Sequence, residues 1–200
     1  MNKTANLMCD IETLSTEPNA LILTIGACSF SFDDPNHEPL VFSAHIDQTS
    51  SEAAGLHISQ ATLDWWESQS DAAKAALNSS TKHPLDAVLE QFTKFCVAVR
   101  AQSPTKKLNW WGNDPTFDAV ILESAYKAVG QTAPWAFWET KSCRTMDLIG
   151  EEYGFRKKRD LPRTGVHHSA VDDSLYQAEV VKKVMSLIKA SASNAVNTAA

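Results

Sequence analysis

The sequence predicts an α/β domain that opens on a β-meander rather than a βαβ unit, and three stretches carry that prediction. Cys28, Phe30 and Phe32 alternate with Ala27, Ser29 and Ser31, the period of two that a strand imposes. The run Asp33-Asp34-Pro35-Asn36 that follows is a strong turn signal, so the chain turns back on itself. Further on, Leu85, Val88, Leu89, Phe92, Phe95, Cys96 and Val99 recur at i, i+3, i+4 and i+7, which gives a helix one apolar stripe.

Taken in order, residues 5–10 read as the first, central strand, and residues 14–19 as a polar loop around Pro18. Residues 21–32 form a second strand, and residues 40–46 a third that returns antiparallel. Residues 50–80 turn helical and irregular, with Ser59 placed to cap a helix that carries Trp65 and Trp66. The plainer reading packs one of these tryptophans into the core and lays the other across a surface groove. The functional reading stacks a nucleic-acid base on an indole. Residues 84–100 are the clearest helix, with Pro84 suited to its first turn.

Residues 102–107 form a loop and residues 108–111 a short fourth strand. Residues 112–118 then turn sharply into a helix, with Asp114 as N-cap, Pro115 at N1 and Gly130 as the stop. Asp118 falls about one turn into that helix, where the dipole favours a carboxylate. Residues 134–140 are rich in aromatics (Trp135, Phe137, Trp138) and lead into a fifth strand; residues 142–151 read as a helix. A basic loop follows, in which Arg156, Lys157, Lys158, Arg159 and Arg163 gather five of the chain's 18 basic residues. The last helix starts near Ser169 and buries Val171, Leu175, Ala178, Val181, Val184, Met185 and Ile188. Residues 190–200 are rich in Ala, Ser and Asn, lack an apolar face and are expected to be a disordered tail, leaving one domain over residues 1–189.

Composition narrows the classes. Two hundred residues suit one domain with a substantial core. The net charge of −6 gives no bulk positive field, so any nucleic-acid contact has to rest on local basic patches. The four cysteines, Cys9, Cys28, Cys96 and Cys143, form no Cys-x-x-Cys pair, which argues against zinc and suits buried hydrophobes in a reducing cytoplasm. Residues 1–6 hold no apolar stretch, so no signal peptide is expected, and no run approaches the roughly 20 apolar residues of a membrane span.

The chemistry begins at Asp10-Ile11-Glu12. Side chains at i and i+2 of a strand share a face, so Asp10 and Glu12 stand side by side. Like charges there repel and burial disfavours ionisation; a divalent cation removes that cost. Oxygen-only ligands favour Mg²⁺ or Mn²⁺. With Asp118 and Asp173, four carboxylates from three elements can hold two such ions. His168, just before the last helix, can take a proton from water near neutral pH. His167 and Asp172 repeat the five-residue spacing of His168 and Asp173. His37, His45, His57 and His83 lack acidic partners at telling spacings.

These residues resemble the DnaQ-like 3′→5′ exonucleases. Asp10-Ile11-Glu12-Thr13 is similar to the first motif, Asn113 through Phe117-Asp118 to the second, and His168-x-Ala170-x-Asp172-Asp173 to the third in its His-containing (DEDDh) form. The resemblance spans residues 5–189. Pro18-x-x-Leu21-Ile22-Leu23-x-Ile25-Gly26-Ala27, Trp65-Trp66, Trp111-Gly112-Asn113 and Cys143-Arg144-Thr145 resemble the phage and prophage branch related to a 3′→5′ exoribonuclease group.

The resemblance implies a ribonuclease-H-like fold: a five-stranded mixed sheet with helices on both faces. It implies Asp10, Glu12, Asp118 and Asp173 as ligands of two Mg²⁺ or Mn²⁺ ions, and His168 as general base; Ala170 favours the His168 frame over the His167/Asp172 one. Thr13 and Leu14 would flank the terminal nucleotide, with Asn113 and Trp66 as further substrate contacts. Arg144 would meet a phosphate or form a surface ion pair. The basic loop would guide the strand or remain a solvated charge run. The expected activity is metal-dependent hydrolysis from single-stranded 3′ ends of DNA or RNA, releasing nucleoside 5′-monophosphates. A nucleic-acid-binding subunit with a silent site and an oligonucleotide phosphohydrolase are the competing readings, and a homodimer is compatible with either.

Overall fold

The computed structural model describes residues 4–198, with side chains at the end of the last helix as far as Asn194. Residues 1–3, part of the stretch read for a leader, and residues 199–200, the end of the predicted tail, lie outside the described residues. Five strands form one mixed sheet: β1 (Ala5–Thr13), β2 (Ile22–Phe30), β3 (Val41–His45), β4 (Leu108–Gly112) and β5 (Thr140–Ser142), in the spatial order β3-β2-β1-β4-β5. The meander is there: β1 pairs antiparallel with β2, and β2 with β3. β4 then adds parallel to β1, and β5 parallel to β4.

Alternation along β1 sorts its side chains into two layers. Leu7, Cys9 and Ile11 pack with Leu85, Val88, Leu89, Phe92 and Cys96 of α4 (Leu85–Ala101) and with Ile121, Leu122 and Ala125 of α5 (Asp118–Ala128). Met8 packs on the other face with Cys28, Phe30 and Trp111. That layer continues into Met146 of α6 (Cys143–Glu152) and Val180, Val181 and Val184 of α8 (Ala170–Thr198). A strand covered on both faces reads as a nearly continuous apolar run, as residues 5–9 do. The irregular stretch before α4 folds as α1 (Gln48–Ala53), α2 (Gln60–Glu67) and α3 (Asp71–Ala76). No helix among the described residues is long and apolar enough to cross a membrane.

Four local expectations change. β1 runs three residues past Asp10, so both carboxylates of the Asp-x-Glu pair lie within the strand. Asp114 does not cap α5: its Oδ1 accepts from the Thr116 N–H (3.0 Å) and hydroxyl (2.8 Å), closing a turn before the helix, and Asp118 is the first helical residue. Part of the basic loop forms a short helix, α7 (Lys157–Asp160). Finally, α8 continues through the predicted tail to Thr198. Extending an existing helix needs no new nucleus, and the alanines of that stretch are the best helix formers.

A clamp ties α4 to the segment that leads into β5. Arg100 donates from both terminal nitrogens to Glu139, at 2.6 Å each, and Glu139 also accepts from the Ala136 N–H at 3.0 Å. Burial alone would raise the Glu139 pKa, but these donors outweigh it and hold the carboxyl below its usual value. A depressed acid pKa contributes stability above the unfolded value, about 4.3, and loses it as pH falls through the lower folded value. Glu139→Gln is therefore expected to cost about 2 kcal/mol at pH 7. Urea midpoints of the two proteins should converge on acidification.

Candidate active site

The parallel pairing of β1 with β4 ends at Met8 opposite Trp111, while β1 continues to Thr13. The free stretch opens a cleft of about 1080 Å³ at the carboxyl end of the sheet, where ligands of α/β folds collect. Asp10, Glu12, Asp118, Asp173 and His168 all line it. Asp10 and Glu12 share the face of Met8, beneath the start of α8. Asp118 stands at the N-terminus of α5, 2% exposed, and the Ile11 N–H that β4 leaves free faces its carboxylate.

The start of α8 lies against β2 because residue 26 is glycine. A Cβ there would come within 2.1 Å of the Ala170 carbonyl carbon and 2.2 Å of the Val171 nitrogen. This contact places Asp173, in the first turn of α8, over the β1 carboxylates. Ligand atoms of Glu12, His168 and Asp173 lie within 4.8 Å of one another. Asp173 Oδ2 accepts from the His168 N–H at 2.9 Å, and its Oδ1 pairs with Arg163. Asp172 is engaged elsewhere: it accepts from the Val166 N–H at 2.8 Å and packs over Gly165, whose φ of +80° suits glycine. Asp173, not Asp172, is thus the acid that stands with Glu12 and His168.

Burial raises the pKa of three of these acids, and mutual charge adds to it at Asp10 and Glu12. Asp10 is pushed well above its ordinary value by burial, Asp118 and Glu12, against the 2.8 Å hydrogen bond from Gln177. Glu12 is pushed up to about 8 by burial and Asp118. Asp118 is pushed up to about 7 by burial, with backbone N–H groups drawing it partly back. A buried cluster of like charges without a structural cation is costly, and its all-oxygen donor set fits a hard divalent ion.

His168 adopts φ +64°, uncommon outside glycine and enriched at functional sites. Its ring meets Trp65 edge-on at 4.9 Å and Trp66 at 5.8 Å, which fixes its plane. Burial, then His167 and Arg163, hold its pKa below the usual value, so the imidazole is neutral and able to accept a proton near neutral pH.

The expected substrate contacts separate. Thr13 and Asn113 line the cleft. Leu14 does not: it is 6% exposed and belongs to the core, because β1 carries it inward beyond the bulge at Glu12/Thr13. Trp66 is buried and donates from Nε1 to the Thr13 carbonyl at 2.8 Å, whereas Trp65 is the exposed indole at 42%. Both indoles line the cleft, Trp66 packed mostly into the core and Trp65 lying open across the groove. Arg144 lines the rim and pairs with Asp114 at 3.4 Å. In the basic stretch Lys157 pairs with Asp147 and Arg159 with Asp160, and Lys157, Lys158 and Arg163 line the cleft.

Gln177 was not singled out from the sequence. It stands one helical turn after Asp173, on the same face, and that i, i+4 spacing was its only signal.

A family model for the 3'-5' exoribonuclease Rv2179c-like domain matches residues 5–185. No curated protein matches the chain. The match takes in all five strands, the carboxylate cleft and the start of α8, and the chain belongs to the 3'-5' exoribonuclease Rv2179c-like domain family.

Proposed function

We propose that the chain is a metal-dependent 3′→5′ exonuclease of the His-containing type that removes nucleoside 5′-monophosphates from single-stranded RNA. The observation that carries this reading is the convergence of Glu12, His168 and Asp173 within 4.8 Å, at a cleft that Asp10 and Asp118 also line. The family description supports RNA over DNA. Asp10, Glu12, Asp118 and Asp173 would hold two Mg²⁺ or Mn²⁺ ions. Such ions, when bound, lower the pKa of a coordinated water and take up charge on the leaving oxygen.

The chain supplies the rest. His168, neutral and held edge-on against two indoles, accepts the proton of the attacking water. Gln177 holds Asp10 in place through the 2.8 Å bond from its Nε2. Trp65 offers a face for the terminal base, and Trp66 positions Thr13 beneath it. Lys158 and Arg144 put positive charge on the rim, where a phosphate backbone passes an acidic floor.

Digestion of matched 5′-labelled single-stranded RNA and DNA with Mg²⁺ or Mn²⁺ tests the reading. The expected result is a 3′-shortening ladder, faster on RNA and absent in chelator. Tight strand binding with no ladder under either metal would instead favour a binding subunit.

A further inference from the structure

Two arginines of this protein face carboxylates in different ways. Arg100 grips Glu139 with two parallel bonds of 2.6 Å, the fork geometry of a permanent pair. Arg163 meets its carboxylate through one nitrogen only: Nη2 pairs with Asp173 Oδ1, while its Nε is buried and has no hydrogen-bond partner among the described residues. The guanidinium rests instead on the Tyr176 ring, 5.0 Å from its centroid, and the Tyr176 hydroxyl donates to the Leu161 carbonyl at 3.1 Å. Asp173 does not depend on Arg163 for its position, because its other oxygen is held by the His168 N–H. A side-chain cation that meets a carboxylate through one nitrogen, where the carboxylate is held independently, can leave without dismantling the site.

We infer that Arg163 is a resident counter-cation: in the metal-free chain it neutralises Asp173 from the place a divalent ion takes on loading, so Arg163 and the ion compete for one carboxylate. The inference rests on the metal-dependent reading above. Its charge reaches further into the cluster, where it favours the ionised forms of Asp10 and Glu12. Loading is then an exchange of one cation for another.

Competition has a measurable sign. Apparent affinity falls by the fraction of molecules in which the site is free, so a site closed nine times in ten binds its ion about tenfold more weakly. Calorimetric titration of the full chain with Mn²⁺ alone, without nucleic acid, reads this directly. Arg163→Met is expected to bind Mn²⁺ about tenfold more tightly than the wild type. Lys158→Met, which removes a charge from the same cleft, should stay within about twofold. Tyr176→Leu keeps the guanidinium but removes its seat, and should tighten binding by a smaller factor; it decides the matter alone if Arg163→Met does not fold.

Unchanged or weaker binding by Arg163→Met and Tyr176→Leu, with a wild type that binds Mn²⁺, overturns the inference and leaves the metal-dependent reading standing. An equal gain in Lys158→Met also overturns it, since net charge would then explain the effect. A wild type that binds no Mn²⁺ overturns both.

Discussion

Asp118→Asn is expected to lower exonuclease turnover by at least about 10³-fold and, in the metal-free protein, to raise the melting temperature. The two effects come from one fact. Asp118 is 2% exposed and shares its cleft with Asp10 and Glu12, so on the proposed function its negative charge is there to be balanced by a bound cation. Burial pushes Asp118 to about 7, and burial together with the Asp118 charge pushes Glu12 to about 8. In the unfolded chain such groups titrate near 4. Between those values the folded protein binds protons that the unfolded chain has released, so stability falls as pH rises from about 4 to about 8.

Asparagine carries no charge to bury. Its advantage should be widest near pH 8 and should vanish near pH 4. Thermal melts in chelator at pH 5 and pH 8 check the sign. Saturating Mn²⁺ should reverse the order, because the wild type gains binding free energy that the variant loses. A variant less stable than the wild type at pH 8 in chelator would mean that the carboxylates hold structural bonds rather than a vacant charge.

The second large effect is structural. Gly26→Ala puts a carbon 2.1 Å from the backbone of Ala170, and no side chain can move aside to relieve it. Either β2 or the first turn of α8 has to shift, at about 3 kcal/mol. The shift moves Asp173 and the His168 loop away from β1, so turnover should fall beyond what the loss of stability explains. Gly55→Ala is the matched control. Its φ is +78° but its Cβ would meet nothing within 4 Å, so it should cost about 1 kcal/mol and leave turnover intact. Urea midpoints with single-turnover rates on the folded proteins separate the two cases. Equal turnover in Gly26→Ala and the wild type would show that the α8 contact does not set the site.

What the sequence revealed was whatever local periodicity encodes. The alternation at residues 27–32 and the turn at Asp33 specify the meander, and the stripe from Leu85 to Val99 specifies α4. Asp10 and Glu12 share a face because strands have a period of two, so their juxtaposition was legible too. Contacts between distant elements were not. That Leu14 turns inward depends on the bulge after Glu12, and that Trp65 is the more exposed of the two cleft-lining indoles depends on how α2 sits against Thr13. Arg163 counted only as one of five basic residues until Asp173 and Tyr176 were seen beside it. The length of α8 is not legible either, because residues 190–198 carry no apolar face, although a helix already packed over its first turns can run on into solvent.

The product released from an RNA oligomer labelled at its 3′-terminal nucleotide tests the proposed chemistry most directly. With Mn²⁺, the first labelled product should be a nucleoside 5′-monophosphate, formed by the wild type and not by Asp118→Asn. Labelled fragments of mixed length, or a labelled nucleoside 3′-phosphate, would contradict it.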